Sequence, residues 1–137
     1  DLTVEQILIK SGNIGSVRIA RMIGIEKHKS FLKTIGILDK IDFDISEVGK
    51  PQTIDWYEGC KLDTIAFGHG ITTTILQLAK GYSIITNGGY DIKPTLIKKN
   101  LDKKNKRKKV LKNDVSKKNE HHLKKSGYRR YGKISKC

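Results

Sequence analysis

Acidic residues nearly vanish from the last forty positions of this 137-residue chain. Residues 1–97 hold 11 Lys and Arg against 11 Asp and Glu, so this stretch is neutral. Residues 98–137 hold 17 against 3, an excess equal to the net charge of +14 of the whole chain. A neutral body with a basic tail is two objects, and each needs its own explanation. Long apolar runs are also missing. No stretch approaches the roughly 18 residues that a membrane-spanning helix requires. Cysteine is scarce: Cys60 and Cys137 fit no metal-ligand spacing and no disulfide framework. Cys60 reads as a small apolar filler. There is no secretory signal pattern and no initiating Met, so the chain is expected to be a fragment or a processed product. Its length suits one domain with a real core.

What is present is mostly helical. Thr3 stands as a cap ahead of Val4-Glu5-Gln6-Ile7-Leu8-Ile9-Lys10, with Leu2, Ile7 and Leu8 expected inward. Ile14, Val17, Ala20 and Ile23 recur at helical spacing, and Gly24 can end that helix in a left-handed cap. A second helix, Glu26 to Ile35, carries Phe31, Leu32 and Ile35, and Gly36 closes it. Ile41-Asp42-Phe43-Asp44-Ile45 alternates as a half-buried strand does. Gly49, Pro51, Asp55 and Gly59 mark turns in a long connection that Trp56 and Tyr57 pin to the body. His69 sits between two glycines and reads as a turn residue rather than a catalytic base. Thr72-Thr73-Thr74 offers caps for a helix whose stripe is Ile71, Ile75, Leu78, Tyr82 and Ile85, with Tyr82 in the core. Asn87-Gly88-Gly89 closes it, and Tyr90 to Ile97 reads as a strand kept at an edge by Pro94. Beyond Lys98 the pattern allows a short helical turn near Val110 to Val115 at most. Residues 119–137 show neither period.

The triplet Ser11-Gly12-Asn13 precedes the first amphipathic helix. A serine and an asparagine two apart can cap that helix. They can also present a hydroxyl and an amide side by side in a cleft. The two roles do not conflict, and the two blocks of sequence that follow favour the second. Val4 to Gly24 reads VEQILIKSGNIGSVRIARMIG, and Phe67 to Pro94 reads FGHGITTTILQLAKGYSIITNGGYDIKP. Together they resemble the transpeptidase domain of class B penicillin-binding proteins, most closely the septal, division-specific one, over roughly residues 1–100. The first block resembles the segment that carries the family's S-x-N motif. The second resembles its glycine-flanked turn, core helix, N-G-G end and following strand.

The resemblance implies an α/β (α+β) fold, here a part of the penicillin-binding-protein and serine β-lactamase-like architecture, mainly its helical part beside the active site. It implies acyl transfer at a serine. A nucleophile within S-x-x-K is activated by its lysine, the S-x-N serine relays a proton, and the asparagine holds the substrate amide and the lysine. A K-T-G strand lines the oxyanion site. Carried over by position, Ser11 is the relay hydroxyl and Asn13 the amide. No S-x-x-K precedes Ser11 and no K-T-G occurs, so the chain alone is expected to be inactive and unlabelled by penicillin. Gly12 replaces a residue that usually has a side chain, and Ile75 stands where proline is frequent. No cofactor and no metal is implied. The implied partners are peptidoglycan stem peptides, β-lactams and other cell-division proteins. The parent is implied to be anchored in the inner membrane, with its catalytic domain outside the cytoplasm.

The domain reading is residues 1–100 as partial transpeptidase, 101–118 as a basic charged segment and 119–137 as a disordered tail. One set of synonymous codons for 119–137, read from the second base, gives MNTILRKVVTEGTAKLAN, which is similar to the family's continuation. A shift of reading frame near Lys118 is therefore expected. The rival class is a helix-turn-helix nucleic-acid binder, with Arg18 and Arg21 on its first helix and a lysine-rich arm on the phosphates. Against it, the second helix offers Lys27, His28, Lys29 and Lys33 but no Asn, Gln or Arg to read bases. No nucleic acid is expected.

Overall fold

The computed structural model describes residues 2–52, 54–57, 59–98 and 107–131, with side chains as far as residue 127. The run 103–106 and Cys137 lie outside the described residues. Thr3 opens α1 (Val4–Lys10) with a reciprocal cap: its hydroxyl accepts the Gln6 N–H at 3.2 Å, and Gln6 Oε1 accepts the Thr3 N–H at 2.9 Å. After a two-residue corner, α2 (Asn13–Ile23) follows, then α3 (Ile25–Thr34). Gly24 joins them with φ +82° and ψ 161°, so the expected positive-φ break is there but outside the left-handed helical region. The inward faces are narrower than the periodicity implies. Ile9 and Ala20 are buried, whereas Leu2, Leu8, Ile14, Ile23 and Phe31 are exposed.

The connection contains a short helix that the sequence pattern does not announce, α4 (Lys61–Ile65). It packs on α2, where the Asp63 carboxylate takes Arg21 Nε at 2.9 Å and Nη2 at 2.5 Å. Trp56 is buried, and the exposed Tyr57 reaches back to α3, donating its hydroxyl to the Glu26 carboxylate. Cys60 is exposed at the start of α4, which corrects its reading as an apolar filler.

Thr74 opens α5 (Ile75–Thr86) with the same capping box as α1. Ile75 takes the first helical position, whose N–H needs no intrahelical partner, so a proline is dispensable there. The helix is where the period puts it, but its face is turned. Gln77, Gly81 and Ile84 are buried, while Ile75, Leu78 and Tyr82 are exposed, so Tyr82 is not core. Gly81 explains the rotation. A Cβ there would lie 3.2 Å from Ile37 Cδ1, so the absent side chain lets the 35–37 segment pack directly on the helix. Ile35, Ile37 and Ile84 form the core, with Leu32, Leu38, Ile71, Ile85, Val110 and Leu111 against it.

Among the described residues no strand forms; the one ladder contact is an isolated antiparallel bridge, Tyr90 to Lys109. The expected strands 41–45 and 90–97 lie together but are joined through side chains. Asp42 pairs with Lys93 at 2.5 Å, and Asp44 accepts from the Thr95 hydroxyl at 2.5 Å and the Leu96 N–H at 2.7 Å. The Thr95 hydroxyl holds the Asp44 carboxyl below its usual range.

The expected disorder of residues 119–137 is corrected over most of its length. α6 (Asn113–Tyr131) is a helix that packs on both α5 and α1. Ser116 is buried and seals the first contact: its hydroxyl donates to Ile85 O at 2.6 Å and accepts the Gly88 N–H at 2.9 Å. Lys125 pairs with Glu5 in the second. That ammonium holds the Glu5 carboxyl below its ordinary value. No helix among the described residues is long and apolar enough to cross a membrane.

Candidate active site

Ser11 and Asn13 flank the sharp corner between α1 and α2. Ser11 ends α1 in the left-handed conformation, φ 52° and ψ 47°, the one described non-glycine residue with positive φ. Its N–H donates to Leu8 O at 3.2 Å, and the Gly12 N–H donates to Ile7 O at 3.0 Å, so the carbonyls at the end of α1 are satisfied by the corner itself. On the other side, Gly12 O accepts both the Ser16 N–H at 3.0 Å and the Ser16 hydroxyl at 3.1 Å. The backbone of the triplet is thus bonded in both directions.

The side chains are not. Neither side chain caps a helix: Ser11 closes α1 through its backbone alone, and the residue capping α2 is Gly12, which has no side chain to offer. Ser11 and Asn13 are both exposed, and among the described residues neither side chain makes a hydrogen bond. The triplet thus caps both helices by backbone only, and a hydroxyl and an amide remain free on the corner. A hydroxyl both donates and accepts, so it can pass a proton; an amide can hold a carbonyl with its NH₂ and an ammonium with its oxygen.

Two residues that motif reading overlooked build this corner. Gly15 lies where a Cβ would come within 2.7 Å of the Ile7 side chain, so α2 approaches α1 more closely than any other residue allows. Ser16 clamps Gly12. The signal for both was a small residue inside an otherwise apolar helix. Gly12 itself needs no special conformation: φ is −80°, and a Cβ would meet nothing nearer than 3.9 Å. The departure from the family pattern at this position leaves the geometry intact.

Farther along, His69 is exposed between Gly68 (φ +85°) and Gly70 (φ +75°), and its N–H donates to Thr64 O at 2.9 Å, a turn contact made by the backbone. Arg21, offered as a phosphate contact in the nucleic-acid reading, is instead held by Asp63.

Known proteins resemble this chain over most of its length. The family model described as "Penicillin binding protein transpeptidase domain" matches residues 1–134. Penicillin-binding protein PbpB of Mycolicibacterium smegmatis is 26% identical over 101 residues, covering 72% of this chain and 16% of that protein. The probable peptidoglycan D,D-transpeptidase FtsI of Caulobacter vibrioides is 24% identical over 98 residues, with the same shares, 72% and 16%. Among solved structures, the transpeptidase domain of penicillin-binding protein 3 from Burkholderia pseudomallei superposes with a TM-score of 0.83 at 22% identity, over 93% of this chain and 39% of that one. A peptidoglycan glycosyltransferase from Burkholderia ambifaria gives 0.85 at 21%, over 94% and 41%. The chain thus spans about a sixth of these curated relatives and two-fifths of the solved chains. With nearly its whole length matched by one family model and its helices laid out as in these solved domains, the chain belongs to the penicillin-binding protein transpeptidase domain family.

Proposed function

We propose that this chain is a portion of a septal peptidoglycan D,D-transpeptidase, the part that supplies the proton relay and the substrate clamp. Ser11 passes the proton between the attacking serine, its lysine and the leaving amine. Asn13 holds the amide of the peptidoglycan stem peptide and steadies that lysine. The whole protein forms a serine acyl-enzyme with stem peptides, is acylated by β-lactams, and works in division-site wall synthesis outside the inner membrane, alongside other cell-division proteins. The observation that carries the reading is that the Ser11 and Asn13 side chains sit exposed and unbonded on a corner tied by its backbone to α1 and α2.

The test is a hybrid in which residues 2–98 of this chain replace the matching segment of the Caulobacter relative, assayed with a fluorescent penicillin. The folded hybrid should be labelled, while the chain alone should not. Ser11→Ala in the hybrid should slow acylation by about 10²-fold or more, the usual scale for a positioned proton-transfer group. Equal labelling rates with and without the Ser11 hydroxyl would remove it from the chemistry.

The reading extends to the tail. Along α6 the half-buried positions after Ser116 are 119, 120, 122, 123, 126 and 127. They are occupied by Asn119, Glu120, His122, Leu123, Ser126 and Gly127, of which only Leu123 is a large apolar residue. The string obtained one base on would place apolar residues at 119, 122, 123, 126 and 127. A shift of frame near codon 118 would put five apolar residues on that face in place of one. Sequencing the gene decides this: codons that cannot encode MNTILRKVVTEGTAKLAN in the second frame refute the shift.

A further inference from the structure

His28 takes no part in the proposed chemistry, yet it occupies an unusual place. It lies on α3 with its ring against Trp56, centroids 6.1 Å apart and planes at 67°. Beside it opens a cavity of about 200 Å³ lined by Ser16, Ile19, Ala20, Ile23 and Ala66, that is, by the inner face of α2 and the end of α4. Its Nδ1 is buried without a hydrogen-bond partner. Buried nitrogens of this kind are uncommon and call for a reason.

The surroundings suit only the neutral ring. Among the described residues no carboxylate on the neighbouring elements pairs with His28: Glu26 of α3 accepts from the Tyr57 hydroxyl, Asp63 of α4 holds Arg21, and Asp55 of the loop accepts the Tyr57 N–H at 3.1 Å. The cations of the same elements are Arg21 of α2, held by Asp63, with Lys27 and Lys29 of α3 and Lys61 of α4. The cavity walls are apolar apart from Ser16, whose hydroxyl is committed to Gly12 O. An imidazolium at His28 would therefore leave a charge half-buried and unpaired, which folded proteins avoid by moving the group into water.

We propose that His28 is a proton-operated wedge: neutral, it closes the corner between α2, α3 and Trp56; protonated, it swings out, frees Trp56 and loosens the helix that begins at Asn13. Burial lowers the affinity of this imidazole for a proton, in line with that placement. The sign follows from linkage. The unfolded chain takes up the proton near pH 6.5 and the closed corner only at lower pH, so the closed form is fully stable above about 6.5 and weakens as pH falls, by at most tenfold in its equilibrium constant per pH unit for one proton.

Trp56 is the single tryptophan of the chain and so reports on this corner alone. Its emission, titrated from pH 8 to 4.5, should shift to the red with a midpoint below 6.5, and His28→Gln should abolish the transition while keeping the blue emission at pH 8. The same transition in the variant, or a tryptophan already in water at pH 8, would overturn the proposal. If His28→Gln fails to fold, the ring-proton resonances of the four histidines decide it. His28 should titrate below the ordinary value and together with the Trp56 ring signals; titration at 6.5 with no change at Trp56 would refute the wedge.

Discussion

Two stretches of this chain carry the same four-residue device and use it differently. Thr3-Val4-Glu5-Gln6 and Thr74-Ile75-Leu76-Gln77 both form capping boxes, with the threonine N–H bonded to glutamine Oε1 at 2.9 Å in each. Gln6 lies in water and has no further partner among the described residues. Gln77 is wholly buried, and its Nε2 donates to Asp39 O at 2.7 Å and to Ile37 O at 3.4 Å. The first box only starts a helix. The second starts a helix and fastens it to a chain segment some forty residues away. The difference teaches that a local motif fixes where a helix begins, while tertiary placement decides what the motif is worth. It also separates two regions: an open front, where α1 hands over to the exposed Ser11 corner, and a closed back, where α5, the 35–39 segment and α6 interlock.

The largest effect should come from the back. Gly89→Ala would set a Cβ 2.2 Å from Leu111 O at φ +88°, and no side-chain motion can relieve a clash with backbone. A loss of about 3 kcal/mol in urea denaturation is expected, combining the left-handed penalty with overpacking. Gln77→Ala comes next, at about 2–3 kcal/mol, because it opens a cavity and leaves the buried Ile37 carbonyl and the part-buried Asp39 carbonyl short of a donor. Gln6→Ala should lower stability by only about 0.5 kcal/mol, the low end for a lost cap contact in water. If the two glutamine variants prove equal, burial adds nothing to the box and the comparison collapses. Gly12→Ala is the smallest: with φ at −80° and open space around the new methyl, it should raise stability by about 0.5 kcal/mol through the unfolded chain. A loss there would mean that the corner is tighter than its backbone indicates.

Much of this was legible in the sequence. Thr3 and Thr74 were readable as caps and α5 from its period, and the flanks of Ser11 and Asn13 single them out as the proposed site. The turned face of α5 was not. A stripe of Ile75, Leu78 and Tyr82 looks like a core face, but burial followed Gly81 and Gln77, whose value lies in what approaches them rather than in their own hydropathy. The exposed stripe belongs to a chain that matches two-fifths of the solved domains. α6 was missed because lysine after lysine hides a helix held by one buried serine and one ion pair at its inner edge. Strands 41–45 and 90–97 were read from alternation, yet alternation fixes only which side chains face inward. No ladder followed, and aspartates do the joining.

The left-handed backbone of Ser11 sets stability against the role proposed for its hydroxyl. Glycine would sit there with about 1 kcal/mol less strain. Ser11→Gly should therefore melt later than the parent while deleting the one free hydroxyl of the corner. Heat selection applied to this chain would remove the proposed relay hydroxyl first, and a thermally hardened descendant would carry the corner without it.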